Sequence, residues 1–155
     1  VIAYSIPGFG EFNIDHLVSD VNGTIAVDGE LLPGVAEAFH MLSGLVEIHM
    51  LTADTHGRQK LLDEQLGLKA VRIPAGGEAE AKAEYVQQLS GGVLAIGQGA
   101  NDRAMLGAAD IGVCVLSTEG TAVQTMLAAD VLVPDILAGF DLLLKPVRLK
   151  ATLRR

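Results

Sequence analysis

Tryptophan is absent from this 155-residue chain, and Cys114 is its one cysteine. Aromatic residues make up 4% of the chain against 50% hydrophobic residues in all, so its core must be filled by small aliphatic side chains. A lone cysteine excludes an intrachain disulfide framework. Cys114 sits in the apolar run Ile111-Gly-Val-Cys-Val-Leu116 and reads as a buried core thiol, which suits a reducing compartment and a cytoplasmic location. Basic residues are outnumbered, 11 to 19, and the formal net charge of -8 argues against nucleic acid or an anionic membrane as partner. No apolar run approaches the roughly 20 residues a membrane helix needs. The first residues do not combine a basic segment with a long apolar one, so no secretory leader is expected. Internal repeats, linkers and low-complexity tracts are missing too, and the length predicts a single domain over residues 1–155.

From Leu17 onward, short apolar runs alternate with helical patterns, the signature of βαβ units around a parallel sheet. The predicted strands are Leu17–Asp20, Val46–Leu51, Ala70–Ile73, Val93–Ile96, Ile111–Val115 and Val131–Val133. Most are solid apolar blocks, as strands covered on both faces should be. Between them, Val35, Phe39 and Leu42 share a helix face with Gly44 as a left-handed stop, and Leu62 and Leu66 do the same before Gly67. A third helix is expected from about Glu78 to Leu89, with Ala79, Ala83 and Val86 inward. Short helices follow after Asn101 and near Thr121–Ala128, and Asp135 is a plausible N-cap for a last helix through Leu144, ended by Pro146. Asp28-Gly29 is a two-residue hairpin signal inside residues 25–32, which predicts a small β-flap just after the first strand. Residues 1–15 are expected to form an N-terminal edge segment. Residues 147–155, with Arg148, Lys150, Arg154 and Arg155, read as a basic tail.

The residues at the carboxyl ends of the strands carry the chemistry, because ligands of open parallel sheets bind there. Asp20 follows an apolar strand within Ser19-Asp-Val-Asn-Gly-Thr24 and is a candidate nucleophile, since a carboxylate can attack phosphorus and split one hard step into two. Thr52 and Lys82 offer a hydroxyl and an ammonium to hold phosphoryl oxygens, and Gln98, Asn101 and Asp102 offer oxygens suited to Mg²⁺. Gly23, Gly97 and Gly99 allow close approach of the backbone to an anion. Several residues keep a plainer reading open. Asp54 or Thr55 could cap the next helix; His56 and Arg58 could contact substrate or be solvated helix residues; Asn101 could orient its loop or cap the short helix. His16, His40 and His49 show no metal-ligand spacing and are read as ordinary fold residues.

Four motifs in order resemble the haloacid dehalogenase superfamily from Leu17 to Leu144: the Asp20 segment, Met50-Leu-Thr-Ala-Asp54, Lys82, and Ile96-Gly-Gln-Gly-Ala-Asn-Asp-Arg-Ala-Met-Leu106. The likeness continues through Ala109-Asp-Ile-Gly-Val, Gly120-Thr-Ala-Val and Ala128-Ala-Asp-Val-Leu132, and within the superfamily it is strongest to the phosphorylation domain of P-type ATPases and to the small capless proteins called soluble P-type ATPases. The resemblance implies a three-layer, Rossmann-like α/β fold, a mainly parallel sheet with helices on both faces and no cap domain. It implies Asp20, Asn22, Thr52 and Lys82 as catalytic residues, and Gly23, Thr24, Thr52, Ala53, Lys82 and Asn101 around the phosphate. Asp20, the backbone carbonyl of Asn22, Gln98 and Asp102 would surround Mg²⁺.

Two residues depart from the family pattern. Asn22 stands where family phosphatases carry an acid that protonates the leaving oxygen, a role worth typically 10²–10⁴-fold, and Gln98 stands where the family has a metal-binding Asp. The expectation is a slow Mg²⁺-dependent phosphohydrolase acting on a phosphorylated small molecule or a nucleotide. The alternative is a binding or regulatory protein that keeps the fold without the activity, and fold analogy alone adds a regulator of metal transport. Without a cap the site would be open unless the flap or a neighbouring subunit covers it, which raises homo-oligomerisation as an expectation.

Overall fold

A computed structural model of the chain describes residues 1–54 and 57–155. Strands β1 (Ile2–Ile6) and β2 (Gly10–Ile14) form an antiparallel hairpin. The chain then enters β3 (His16–Asp20), a fully buried strand, and passes through the two short strands β4 (Ala26–Val27) and β5 (Glu30–Leu31). After helix α1 (Val35–Leu42), strand and helix alternate: β6 (Glu47–Thr52), α2 (Gln59–Leu66), β7 (Val71–Arg72), α3 (Glu78–Gln88) and β8 (Val93–Gly97). A 3-10 turn over Ala100–Asp102 leads into α4 (Arg103–Ala108), β9 (Ile111–Val115), α5 (Val123–Ala128), β10 (Val131–Val133), α6 (Ile136–Leu144) and α7 (Pro146–Leu153).

Six of the strands make one parallel sheet in the order β10-β9-β8-β3-β6-β7. β3 is central, hydrogen-bonded to β8 on one side and β6 on the other, so its carboxyl end opens where the chain's crossovers diverge. Successive residues of a strand face opposite sides, and the core divides accordingly. Leu17, Met50, Leu94 and Ile96 pack with α1, α6 and the N-terminal hairpin, whereas Val18, Leu51 and Ala95 pack with Val86 of α3 and Met105 and Leu106 of α4. Helices therefore cover both faces, and no cap domain interrupts the chain among the described residues. β4 and β5 form the small flap expected at residues 25–32, with Asp28 and Gly29 both at positive φ in its turn. No helix among the described residues is long and apolar enough to cross a membrane.

The structure departs from the sequence reading in several places. Residues 1–15 do not add an edge strand to the main sheet. Their hairpin is a separate sheet that buries Ile2, Tyr4 and Ile6, and the Tyr4 hydroxyl donates to the Leu142 carbonyl at 2.7 Å. Gly44 is not the left-handed stop of α1. The chain turns right-handed at Ser43, and the Leu42 carbonyl accepts from both Leu45 and Val46 N–H groups, which removes the need for a left-handed residue. Gly67 does take the left-handed C-cap of α2, at φ 65°. On α3 the buried positions are Lys82 and Val86, with Ala79 and Ala83 only half-buried. Pro146 does end α6, but it also opens α7, where its missing N–H leaves no bond unmade. The basic tail is therefore mostly helix.

Phe140 of α6 is fully buried and meets Phe39 of α1 edge-on, with ring centroids 5.5 Å apart. In a core short of aromatics, that pair fills the space between the two helices. Phe140→Ala is expected to lower the free energy of unfolding in urea by about 3–5 kcal/mol.

Candidate active site

Asp20 is the last residue of β3, and its side chain points to the face covered by α3. From that helix Lys82, 2% exposed, reaches down and places its ammonium 2.8 Å from Asp20 Oδ1, 2.8 Å from Asp102 Oδ1 and 3.0 Å from Asn101 Oδ1. Three acceptors match the three donors of an ammonium. The other oxygen of Asp20 accepts from the Thr24 hydroxyl at 3.0 Å, so both oxygens are held. Asp102 is fully buried, and its Oδ2 accepts from the backbone N–H groups of Gln98 and Gly99, each at 3.0 Å. The turn after β8 is thereby wrapped around one carboxylate. A side chain at Gly97 would put its Cβ 2.6 Å from Asp102 Cβ and Cγ, which explains glycine there.

Asn22, Thr52, Ala53, Gln98 and Asn101 surround these charges and line, with Glu78, a cavity of about 130 Å³. That is room for a phosphoryl group and a few waters. Thr52 is 1% exposed, and its hydroxyl oxygen accepts from the Asp54 N–H at 2.9 Å and from Asn22 Nδ2 at 3.4 Å. Asp54 does act at a helix start: its Oδ1 accepts from the Gln59 N–H at 3.1 Å. Gln98 Nε2 donates to the Gly120 carbonyl at 3.2 Å, tying the amide to the loop before α5. Gly23, at φ 83°, lies so close to that amide that a Cβ would stand 2.5 Å from Gln98 Nε2. Gly23 and Thr24 do not line this cavity but an adjoining, more apolar one of about 360 Å³ with Val27, Leu32, Leu116 and Leu137. His56 and Thr55 lie outside the described residues, and Arg58 is exposed.

Burial pushes the Asp20 carboxyl up from its ordinary 3.8 to about 7, and the charge of Asp102 pushes the same way, against the pull of Lys82 and Thr24. Burial alone would lower the Lys82 ammonium, but Asp20 and Asp102 outweigh it and hold it above its ordinary value. The lysine therefore stays charged, between two carboxylates that it cannot fully neutralise. Glu78 escaped the sequence reading. It opens α3 at the cavity wall, and backbone N–H groups at the helix start hold its carboxyl below the ordinary range. Its position at a helix N-terminus was the available signal.

No protein-family model matches the chain. An uncharacterized protein of Methanocaldococcus jannaschii is 40% identical over 92 residues, which is 56% of this chain and 99% of that one. The copper-exporting P-type ATPase of Staphylococcus epidermidis is 30% identical over 136 residues, 86% of this chain, although the match spans only 16% of the ATPase. A zinc-transporting PIB-type ATPase in its E2.Pi state superposes with a TM-score of 0.63 at 26% identity, over 78% of this chain and 20% of the transporter. The chain shares the fold of haloacid dehalogenase family hydrolases, and its sequence is similar to that of metal-transporting P-type ATPases. The same fold extends to enzymes of its own size. The 3-deoxy-D-manno-octulosonate 8-phosphate phosphatase of Moraxella catarrhalis, solved with magnesium, phosphate and the sugar acid, gives a TM-score of 0.66 at 16% identity, covering 85% of this chain and 86% of that one.

The raised Asp20 carboxyl has a consequence for stability. A folded-state value above the unfolded one means that ionising Asp20 costs the fold free energy, beginning near pH 4 and complete above about pH 7. Asp20→Asn, which cannot ionise, should therefore melt higher than the parent chain in metal-free buffer, by roughly 5 °C or more at pH 8. The difference should shrink toward pH 5, where the native parent holds Asp20 protonated. Thermal unfolding across that range checks both the sign and the window.

Proposed function

We propose that the protein is a Mg²⁺-dependent phosphohydrolase that works through an aspartyl phosphate on Asp20. The observation that carries this reading is the Lys82 ammonium, bonded at once to Asp20 and Asp102 at the floor of a phosphoryl-sized cavity. In the first step a carboxylate oxygen of Asp20 bonds to phosphorus as the bond to the leaving oxygen breaks. In the second, water attacks the same phosphorus, phosphate departs and the carboxylate is restored. The Lys82 ammonium and the Thr52 hydroxyl offset the charge of the phosphoryl oxygens.

The donor set fits Mg²⁺. Asp20 lines the cavity, Asp102 stands behind it on the far side of Lys82, and apart from that lysine the other groups at hand are oxygen donors or amides, a set that a hard cation keeping several waters takes. Asp20, the Asn22 carbonyl and Asp102, directly or through water, would hold it, and Gln98 would contribute a neutral oxygen at most. Bound there, the ion would neutralise negative charge on the phosphoryl group and favour the ionised form of Asp20.

Proton transfer is where the site is weak. Asn22 neither gives a proton to a leaving oxygen nor takes one from water. Glu78 is the one other carboxyl besides Asp20 that lines the cavity among the described residues, and its lowered value leaves it ionised near neutrality. The intermediate should consequently form with good leaving groups and hydrolyse slowly. The substrate class is a phosphorylated small molecule or a nucleotide. Its non-reacting part would extend under the flap toward the apolar cavity beside Gly23 and Leu116.

Incubation with acetyl phosphate and Mg²⁺, followed by intact mass measurement, should show one hydroxylamine-labile phosphate that Asp20→Asn lacks. Phosphate-ester turnover by the double variant Asn22→Asp, Gln98→Asp should exceed that of the parent by about 10²-fold. A chain that neither labels with any donor nor hydrolyses any ester, and that takes up no Mg²⁺ in a calorimeter, would instead be a binding protein on the same fold.

A further inference from the structure

At the opposite end of β3 from Asp20, about 13 Å away at roughly 3.3 Å per residue, three side chains converge that the phosphoryl-transfer reading does not use. The parallel register sets His16 of β3 beside Glu47 of β6 and puts His49, two residues on, on the same face. His16 Nδ1 lies 3.1 Å from His49 Nε2 and 3.6 Å from Glu47 Oε2, and His49 Nε2 lies 3.9 Å from Glu47 Oε1. We propose that His16, His49 and Glu47 form a second cation site, for a borderline divalent transition metal of the Zn²⁺ kind.

Three observations carry this. The first is size. Tetrahedral Zn²⁺ with bonds of about 2.0–2.1 Å sets its ligand atoms about 3.3 Å apart; the two nitrogens stand near that spacing at 3.1 Å, and the exposed Glu47, whose Oε2 is 3.6 Å from one and whose Oε1 is 3.9 Å from the other, needs a small side-chain rotation to bring one oxygen to both. The second is the outer shell. Ligating imidazoles usually have the far nitrogen fixed by a carbonyl or another polar group, and both do here: His16 Nε2 is 2.8 Å from the Ser90 carbonyl, and His49 Nδ1 is 2.7 Å from the Tyr85 hydroxyl. A carbonyl only accepts, so the His16 proton is on Nε2 and Nδ1 is an acceptor. Without a cation it accepts from His49 Nε2–H at 3.1 Å while the Tyr85 hydroxyl donates to His49 Nδ1; a bound cation displaces the Nε2 proton, and His49 then donates from Nδ1 to the Tyr85 oxygen. The third is access. The histidine side chains are 11% and 9% exposed and Glu47 is 68% exposed, so a cation enters from solvent onto a fixed pair of nitrogens. The exposed carboxylate then closes over it, and water completes the fourth position.

The ligand chemistry separates the two sites on one strand. Two imidazoles and one carboxylate suit Zn²⁺, Co²⁺ or Ni²⁺ and are a poor set for Mg²⁺, whereas the oxygen donors around Asp20 have the reverse preference. The nitrogen-containing site would clamp the amino ends of β3 and β6 to the end of α3.

The test uses the full chain, stripped with chelator, in calorimetric titrations with Zn²⁺ and in visible spectra with Co²⁺. The expected result is one tight equivalent of Zn²⁺ and the intense ligand-field bands of four-coordinate Co²⁺, both retained in Asp20→Asn. Glu47→Gln, a surface change that does not threaten the fold, should weaken Zn²⁺ at least about ten-fold, and Tyr85→Phe by about ten-fold through its hold on His49. His49→Ala should abolish the Co²⁺ bands. Absence of stoichiometric Zn²⁺ binding to the parent chain overturns the proposal. So does binding that survives Glu47→Gln and His49→Ala unchanged, and so does binding that Asp20→Asn removes. Since the Asp20 site is read by phosphate labelling and this one by metal titration, failure of one leaves the other standing.

Discussion

A single buried ammonium organises the carboxyl end of the sheet. Lys82 draws together a strand end, a loop amide and a buried carboxylate from two separate stretches of chain, and without it Asp20 and Asp102 would be two like charges facing each other in a water-poor site. Removing the lysine alone would leave two buried carboxylates uncompensated, which is far more costly than never having built the cluster. Above about pH 7, where Asp20 is ionised, one positive charge against two negative ones leaves an excess of negative charge in the absence of ligand. On the proposed reading a phosphate dianion meets that excess unless a divalent cation has arrived first, so the charge count sets an order of loading: cation, then ester.

The backbone supports this cluster with few residues. Asp102 takes the N–H groups of Gln98 and Gly99 on one oxygen, so the loop and the lysine are fixed by the same side chain. The Thr125 hydroxyl donates to the Gly99 carbonyl at 2.7 Å, and the Ala122 N–H donates to the Gln98 carbonyl at 2.9 Å, which anchors the outer side of the loop to α5. Gln98, neutral where a charge would be expected from the family pattern, spends its amide on Gly120. The loop is thus kept in place by hydrogen bonds that do not depend on a metal ion.

Much of this was legible in the chain because it is local. Asp20, Thr52 and the turn from Gly97 to Asp102 each directly follow an apolar strand, and a parallel sheet brings such positions to one end without further information. The buried face of Lys82 is less obvious from a helix whose neighbours Glu80 and Glu84 are polar, and only the order of motifs singled it out. What escaped notice depends on pairs far apart in sequence. Ile2, Tyr4 and Ile6 alternate plainly, but the surface they bury belongs to the C-terminal helices, and Tyr4 finds its acceptor 138 residues away. His16 and His49, 33 residues apart, carry no spacing signal. Only the register of β3 against β6 makes them neighbours, and register is a property of the whole sheet rather than of either strand. Gly44 shows the converse: a residue able to end a helix was present, but the turn had already closed through ordinary right-handed bonds.

The flap is the remaining feature that bears on what this molecule can become. Its tip at Gly29 lies under the side chain of Arg58, where an added Cβ would stand 2.8 Å from Arg58 Cδ. The tip of the flap thus meets the start of α2, while the base of the flap, Ile25 and Ala26, is anchored in the core. Residues at the tip can be exchanged, lengthened or charged differently without disturbing Asp20, Lys82 or Asp102. On the proposed reading, choice of substrate and capacity for chemistry are in this way encoded in separable pieces of the chain, so selection can retune the first while leaving the second intact.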